Sequence, residues 1–214
     1  MKVPFPRLHG ALASFAIFAF AAPAFHGSVD PIGPELQQRM TGVSWHRGCP
    51  VGLDRLRLLR VTHWDFDGEV RRGRLVVHRD SAAAMLRTMQ ELFDLRFPIR
   101  RMRLVDAYGA DDRRSMDADN TSAFNCRFVA GTSRWSEHAY GRAIDVNPVE
   151  NPYVTGDGYV SPPAGARFVD RSLRAKGLIH RGGPVVAAFE ENGWEWGGRW
   201  SWPRDYQHFS VGGN

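Results

Sequence analysis

The residues with chemistry to offer gather late in the chain. Ser136 to Pro148 reads SEHAYGRAIDVNP, with His138 seven residues before Asp145 and Gly141 between them. Residues 143 to 147, AIDVN, predict a short strand in which Ile144 and Asp145 point to opposite faces. The glycine allows a sharp turn that returns His138 to Asp145. An imidazole beside a carboxylate supplies two of the three protein ligands of a catalytic zinc site, which leaves its fourth position for water. The tail supplies a third ligand, His208 in RDYQHFSV, with Asp205 three residues before it. A zinc hydrolase also needs a base to take the proton of its attacking water. Asp205 is placed for that role, close in sequence to a ligand without being one. Glu195 in GWEWGG is the rival base, or a group that orients a ligand histidine. The bland alternative for Asp205 is a surface ion pair with Arg204.

His-x6-Asp alone is a weak signal, but the joint pattern is specific. Ser136, His138, Gly141, Ala143 and Asp145 spell S-x-H-x-x-G-x-A-x-D. Downstream come W-x-W-G-G (Trp194, Trp196, Gly197, Gly198) and D-x-x-H-F (Asp205, His208, Phe209). Together these resemble the zinc D-alanyl-D-alanine carboxypeptidase family, with its VanY- and VanX-type peptidases and related endopeptidases, over roughly residues 53–211. The resemblance implies Zn2+ held by His138, Asp145 and His208, with Asp205 as general base. That base is Asp where the VanX- and VanY-type enzymes carry Glu, one methylene shorter. It also implies a hydrogen-bonding role for Ser136 beside the site. Arg127 in FNCR matches the substrate-binding arginine only loosely, and is otherwise a surface residue beside a cysteine. Trp135, Trp194 and Trp196 are candidate walls of a substrate groove, although tryptophans more often complete a core edge.

The fold implied is α+β, a single domain in which a small antiparallel sheet carries the zinc site and helices pack against it. The pattern of the chain agrees in outline. LRLLRVTHWDF (56–66) and 69–78 predict two strands joined at Asp67-Gly68. His63 and His78 on them read as cross-strand or surface histidines rather than ligands. Asp80 or Ser81 can cap a helix to about Arg96, with Met85, Met89, Leu92 and Phe93 on one apolar face. Phe97-Pro98 ends it, and Ile99 to Val105 reads as a strand. Residues 106–123 and 148–165 read as long loops bordering a cleft, 168–180 as a short helix, and Pro184 to Asn192 as a helix stopped by Gly193.

Three segments divide the 214 residues. Residues 1–24, with Lys2, Arg7, an apolar run and Ala22-Pro23-Ala24, are a signal peptide, too short in its apolar run to span a bilayer. Residues 25–50 read as an extended lead-in with one helical turn at Glu35 to Met40, and 51–214 as the catalytic domain. Removing the first segment lowers the formal charge from +5 to +3, compatible with an anionic cell wall and with ordinary solubility. No basic run with interleaved aromatics argues for nucleic acid, and no later segment is apolar enough to cross a membrane. Cys49 and Cys126 in an exported chain predict one disulfide.

The expectation is therefore a monomeric, extracytoplasmic zinc metallopeptidase whose partners are peptidoglycan stem peptides. Removal of a terminal D-Ala is the leading reaction. An endopeptidase cut inside the stem or cross-bridge, and a non-catalytic zinc-containing wall-binding module, are the alternatives. A carboxypeptidase needs a cation at a closed end of its groove, for which Arg127 and Arg142 are candidates.

Overall fold

A computed structural model describes residues 23–212. The segment expected to be a signal peptide, apart from its last two residues, lies outside the described residues. Residues 25–50 carry the helical turn expected at Glu35 to Met40 and, beyond an extended lead-in, a paired strand. Gly27–Pro31 is a strand (β1) and Pro34–Met40 a helix (α1). β1 pairs antiparallel with β2 (Leu56–Trp64), which pairs in turn with β3 (Val70–His78). The lead-in is thus the edge of the main sheet. Its strand was missed because GSVDP carries no alternation of apolar residues.

β2 is buried along most of its length and β3 over Leu75 to His78, whereas Arg71, Arg72 and Arg74 of β3 are exposed. Leu59, Val61, Leu75 and Val77 face a core shared with α2 (Ala82–Asp94), whose Met85, Met89 and Leu92 are buried at helical spacing. Leu56, Leu58 and Val76 face the other way, onto Ile32, Met40, Leu104 and Phe124. His63 and His78 are both buried on these strands, and neither joins a metal-ligand group among the described residues. Only Arg101–Met102 (β4) of the strand expected over 99–105 forms, parallel to Asn120–Thr121 (β5). Between them the expected loop holds a helix, α3 (Asp112–Asp117), capped by the Asp111 side chain accepting from Arg114 N at 2.9 Å.

The remaining strands are short. Ala143–Asp145 (β6) lies beside the last strand of the chain, and Tyr153–Val154 (β7) pairs with Val160–Ser161 (β8) inside the segment expected to be irregular. No helix forms at 168–180, while Pro184–Glu191 is a helix (α4) as expected. Glu195–Trp196 (β9), Arg204–Asp205 (β10) and His208–Ser210 (β11) complete the fold. β6, β11 and β9 make one antiparallel sheet with β11 central, and β10, β7 and β8 make another. Phe209 of β11 stacks on Phe189 of α4, with centroids 3.7 Å apart. The α+β class with helices packed on small antiparallel sheets is what the sequence implied. Among the described residues no helix is long and apolar enough to cross a membrane.

Residues 147–180 are held by buried amide side chains more than by ladders. Asn147 accepts from Arg100 N at 3.0 Å and donates to Pro98 O at 2.8 Å. Asn151 donates to Gly177 O at 2.9 Å and accepts from Ile179 N at 2.8 Å and from Arg171 Nη2 at 2.8 Å. Cys49 and Cys126 form the expected disulfide.

Glu150 sits in this region almost fully buried, near Asp119 and with Arg100 Nη2 at 3.7 Å. Burial, then the Asp119 carboxylate, push its pKa from 4.5 up to about 8. The native protein therefore keeps a proton that the unfolded chain releases above its ordinary pKa. Stability falls as pH rises through that window and is not penalised below it. Glu150→Gln removes the penalty. Its melting temperature should exceed that of the wild type at pH 8 and match it at pH 4, as calorimetry would show.

Candidate functional site

β6 and β11 pair with Asp145 opposite His208, Ile144 opposite Phe209 and Ala143 opposite Ser210. Opposed residues share a face, so this register sends Asp145 and His208 to one side and Ile144 and Phe209 to the core. His138 comes from the 3-10 turn Glu137–Tyr140. The Ser136 hydroxyl caps that turn by accepting from His138 N at 3.3 Å. Gly141 ends it at φ +68°, and a Cβ there would lie 2.6 Å from the backbone nitrogen of His78. That nitrogen donates to Gly141 O at 2.8 Å. The turn that carries His138 back over Asp145 is thereby pinned to the end of β3, at a spot only glycine fits.

The three side chains meet. His208 Nδ1 lies 3.0 Å from Asp145 Oδ1, and His138 Nε2 lies 3.2 Å from Asp145 Oδ2 and 3.3 Å from His208 Nδ1. His138 Nδ1 is 2.6 Å from the carbonyl oxygen of Ala123. A carbonyl only accepts, so Nδ1 carries the proton and Nε2 presents its lone pair to the cluster. Lone pairs converging at these distances repel unless a cation stands among them. Burial lowers the pKa of His138, yet the neighbouring Asp145 carboxylate outweighs it and raises the pKa overall. Burial works against Asp145 as well, but the two histidines hold its carboxyl well below the usual range. Two imidazole nitrogens and a carboxylate oxygen, all within 4.8 Å of one another and buried, are a donor set suited to zinc. The Ala123 carbonyl would be the outer partner that fixes the ring of His138 if that histidine held a metal.

This cluster forms the floor of a cavity of about 560 Å³. Asp205, on β10 opposite Tyr153 of β7, lines the same cavity and is half-buried. Its Oδ1 is buried without a hydrogen-bond partner. Burial, then the charge of Asp145, push its pKa up to about 7, suited to accepting a proton near neutrality. The W-G-G sequence is what lets the chain approach here: a Cβ on Gly197 would lie 2.8 Å from Asp205 O.

The other expected site residues divide. Arg127 and Trp135 line the cavity. Arg127 Nη2 pairs with Asp112 Oδ2 of α3 at 3.0 Å, and Trp135 stacks on Phe128 at 4.0 Å. Ser136 also borders the cavity, beneath His138. Glu195 and Trp196 do not join them. Glu195 is exposed on β9 and lines no part of the cavity. Trp196 is buried in the core, its indole N–H donating to Tyr206 O at 2.9 Å. Trp194 is likewise core, and Arg142 is exposed outside the cavity. β9 pairs only with β11, on the side away from β6, which is why the W-E-W segment supplies packing instead of a wall. Asp112, Tyr153 and Gln207 line the cavity unforeseen. Of these only Asp112 had a legible cue, the Asp111 cap of its helix.

A buried His/Asp/His donor set with a carboxylate at its side is the arrangement a metallopeptidase needs. Residues 130–211, which contain all four of these side chains, match the family model described as D-alanyl-D-alanine carboxypeptidase, and the match supports the peptidase M15 assignment. No curated protein and no solved structure matches the chain.

His138→Ala and Asp145→Ala should each abolish one-to-one zinc binding, measured by competition with a chromophoric chelator. Wild-type affinity in either variant would place the metal elsewhere. Gly141→Ala should destabilise the fold by about 1 kcal/mol or more and weaken zinc binding with it.

Proposed function

We propose that this chain is an exported zinc peptidase that hydrolyses peptidoglycan stem peptides, removing a terminal D-Ala. One observation carries the reading: His138, Asp145 and His208 converge at the floor of a cavity that Asp205 and Arg127 also line. The family match of residues 130–211 supports the same substrate class. The disulfide supports an oxidising, extracytoplasmic setting.

His138, Asp145 and His208 would hold the zinc. When bound, it would polarise the scissile carbonyl and acidify the attacking water. Asp205 takes the proton of that water and returns it to the leaving amine as the C–N bond breaks. The Ala123 carbonyl holds the His138 ring in one tautomer through the cycle. Arg127, kept in the wall by Asp112, donates to the terminal carboxylate of the peptide. A side chain with a planar fork of donors suits that group better than lysine would.

Mass spectrometry of stem peptides ending in D-Ala-D-Ala, incubated with zinc-loaded protein, tests this directly. Loss of one alanine that a chelator prevents is the expected result. An internal cut would make the chain an endopeptidase, and no cut with zinc stoichiometrically bound would favour a wall-binding module. Asp205→Asn should keep its zinc and lose turnover by about 100-fold or more. Undiminished turnover in that variant would remove Asp205 from the chemistry.

A further inference from the structure

Gln207 stands between Asp205 and His208, and only 2% of it is exposed. Its side chain lines the cavity, yet its amide is poorly partnered. Oε1 is buried with no hydrogen bond. Nε2 lies 3.7 Å from the sulfur of Met116, a weak acceptor. The nitrogen end thus faces Met116, and the oxygen end is the one left over. Burying an amide oxygen without a partner is costly, and such a group calls for an explanation. Packing supplies none, since an apolar chain of similar length would fill the space beside Met116.

Two further cavity-lining residues carry orphaned buried atoms, the acceptor Asp205 Oδ1 and the donor Arg127 Nε. The wall therefore holds two unmet acceptors and one unmet donor. A simple anion would satisfy only the arginine. A peptide backbone offers N–H donors and C=O acceptors in alternation, and so complements the set. We infer that Gln207 determines specificity by accepting, through Oε1, a backbone N–H of the peptide in the cavity. The inference rests on the peptidase reading and adds to it the residue that senses the substrate's amide.

Gln207→Met keeps the length of the side chain and removes the unpaired oxygen. Zinc binding should be unchanged and thermal stability equal to or above that of the wild type, which a merely structural glutamine would not give. The kcat/KM for the stem peptide that the wild type cuts should fall about tenfold, the worth of one hydrogen bond. Stem peptides N-methylated at each non-scissile amide in turn locate the partner. The wild type should lose about tenfold at one position, where the variant loses nothing further. Equal kcat/KM in the two proteins, or the same N-methyl penalties in both, overturns the inference and leaves the peptidase reading intact. A wild type that cuts no stem peptide sinks both. Should Gln207→Met fail to fold, the wild-type scan decides, because indifference to every N-methyl group overturns the inference by itself.

Discussion

The site depends on one ladder pair, Asp145 opposite His208. A single-residue slip of β11 against β6 would turn His208 into the core and bring Phe209 to the cavity. The register is held from behind, where Phe209 stacks on Phe189 and Ile144 is fully buried. The same alternation that buries the hydrophobic face thus aims the polar one. His138 is added by a turn instead of a strand, and its placement rests on the close approach of Gly141 to β3. Packing on one face and a glycine contact on the other converge on one polar cluster.

What surrounds that cluster sets its chemistry. The carboxyl groups of Asp145 and Asp205 share the cavity and are driven in opposite directions, the first held ionised by two histidines, the second pushed towards neutrality by burial and by the first. Two like side chains acquire two different proton affinities from position alone. The wall beyond them combines Arg127 with the aromatic faces of Trp135 and Tyr153, so charge is available at one side and apolar surface at the other.

The sequence revealed the floor of the site better than its walls. A local turn brings His138 to Asp145, whereas Asp205 and His208 were legible through the joint motif and its resemblance to a known family, because the pairing that sets His208 against Asp145 spans 63 residues. The β2–β3 hairpin and α2 were legible because their apolar period is long enough to read. Glu195 and Trp196 were misplaced because motif proximity says nothing about which side of β11 a neighbouring strand takes. β1 and α3 were missed because each is short and polar, and is stabilised by what it pairs with. Residues 148–165 were read as loop and 168–180 as a short helix because the order there comes from Asn147 and Asn151, whose hydrogen bonds span tens of residues and leave no periodic trace.

The disulfide has a consequence for the cavity wall. It joins the lead-in at Cys49 to Cys126, next to Arg127, across a sequence separation of 77 residues. Closing a loop of that size restricts the unfolded chain by about 4 kcal/mol on the chain-entropy account. The stability so gained does not come from contacts at the wall. Residues 127–135 are therefore free to be poorly packed, with Phe128 45% exposed, and to change side chains at little cost to folding. A cross-link at the edge of the wall thus leaves the neighbouring wall residues room to vary.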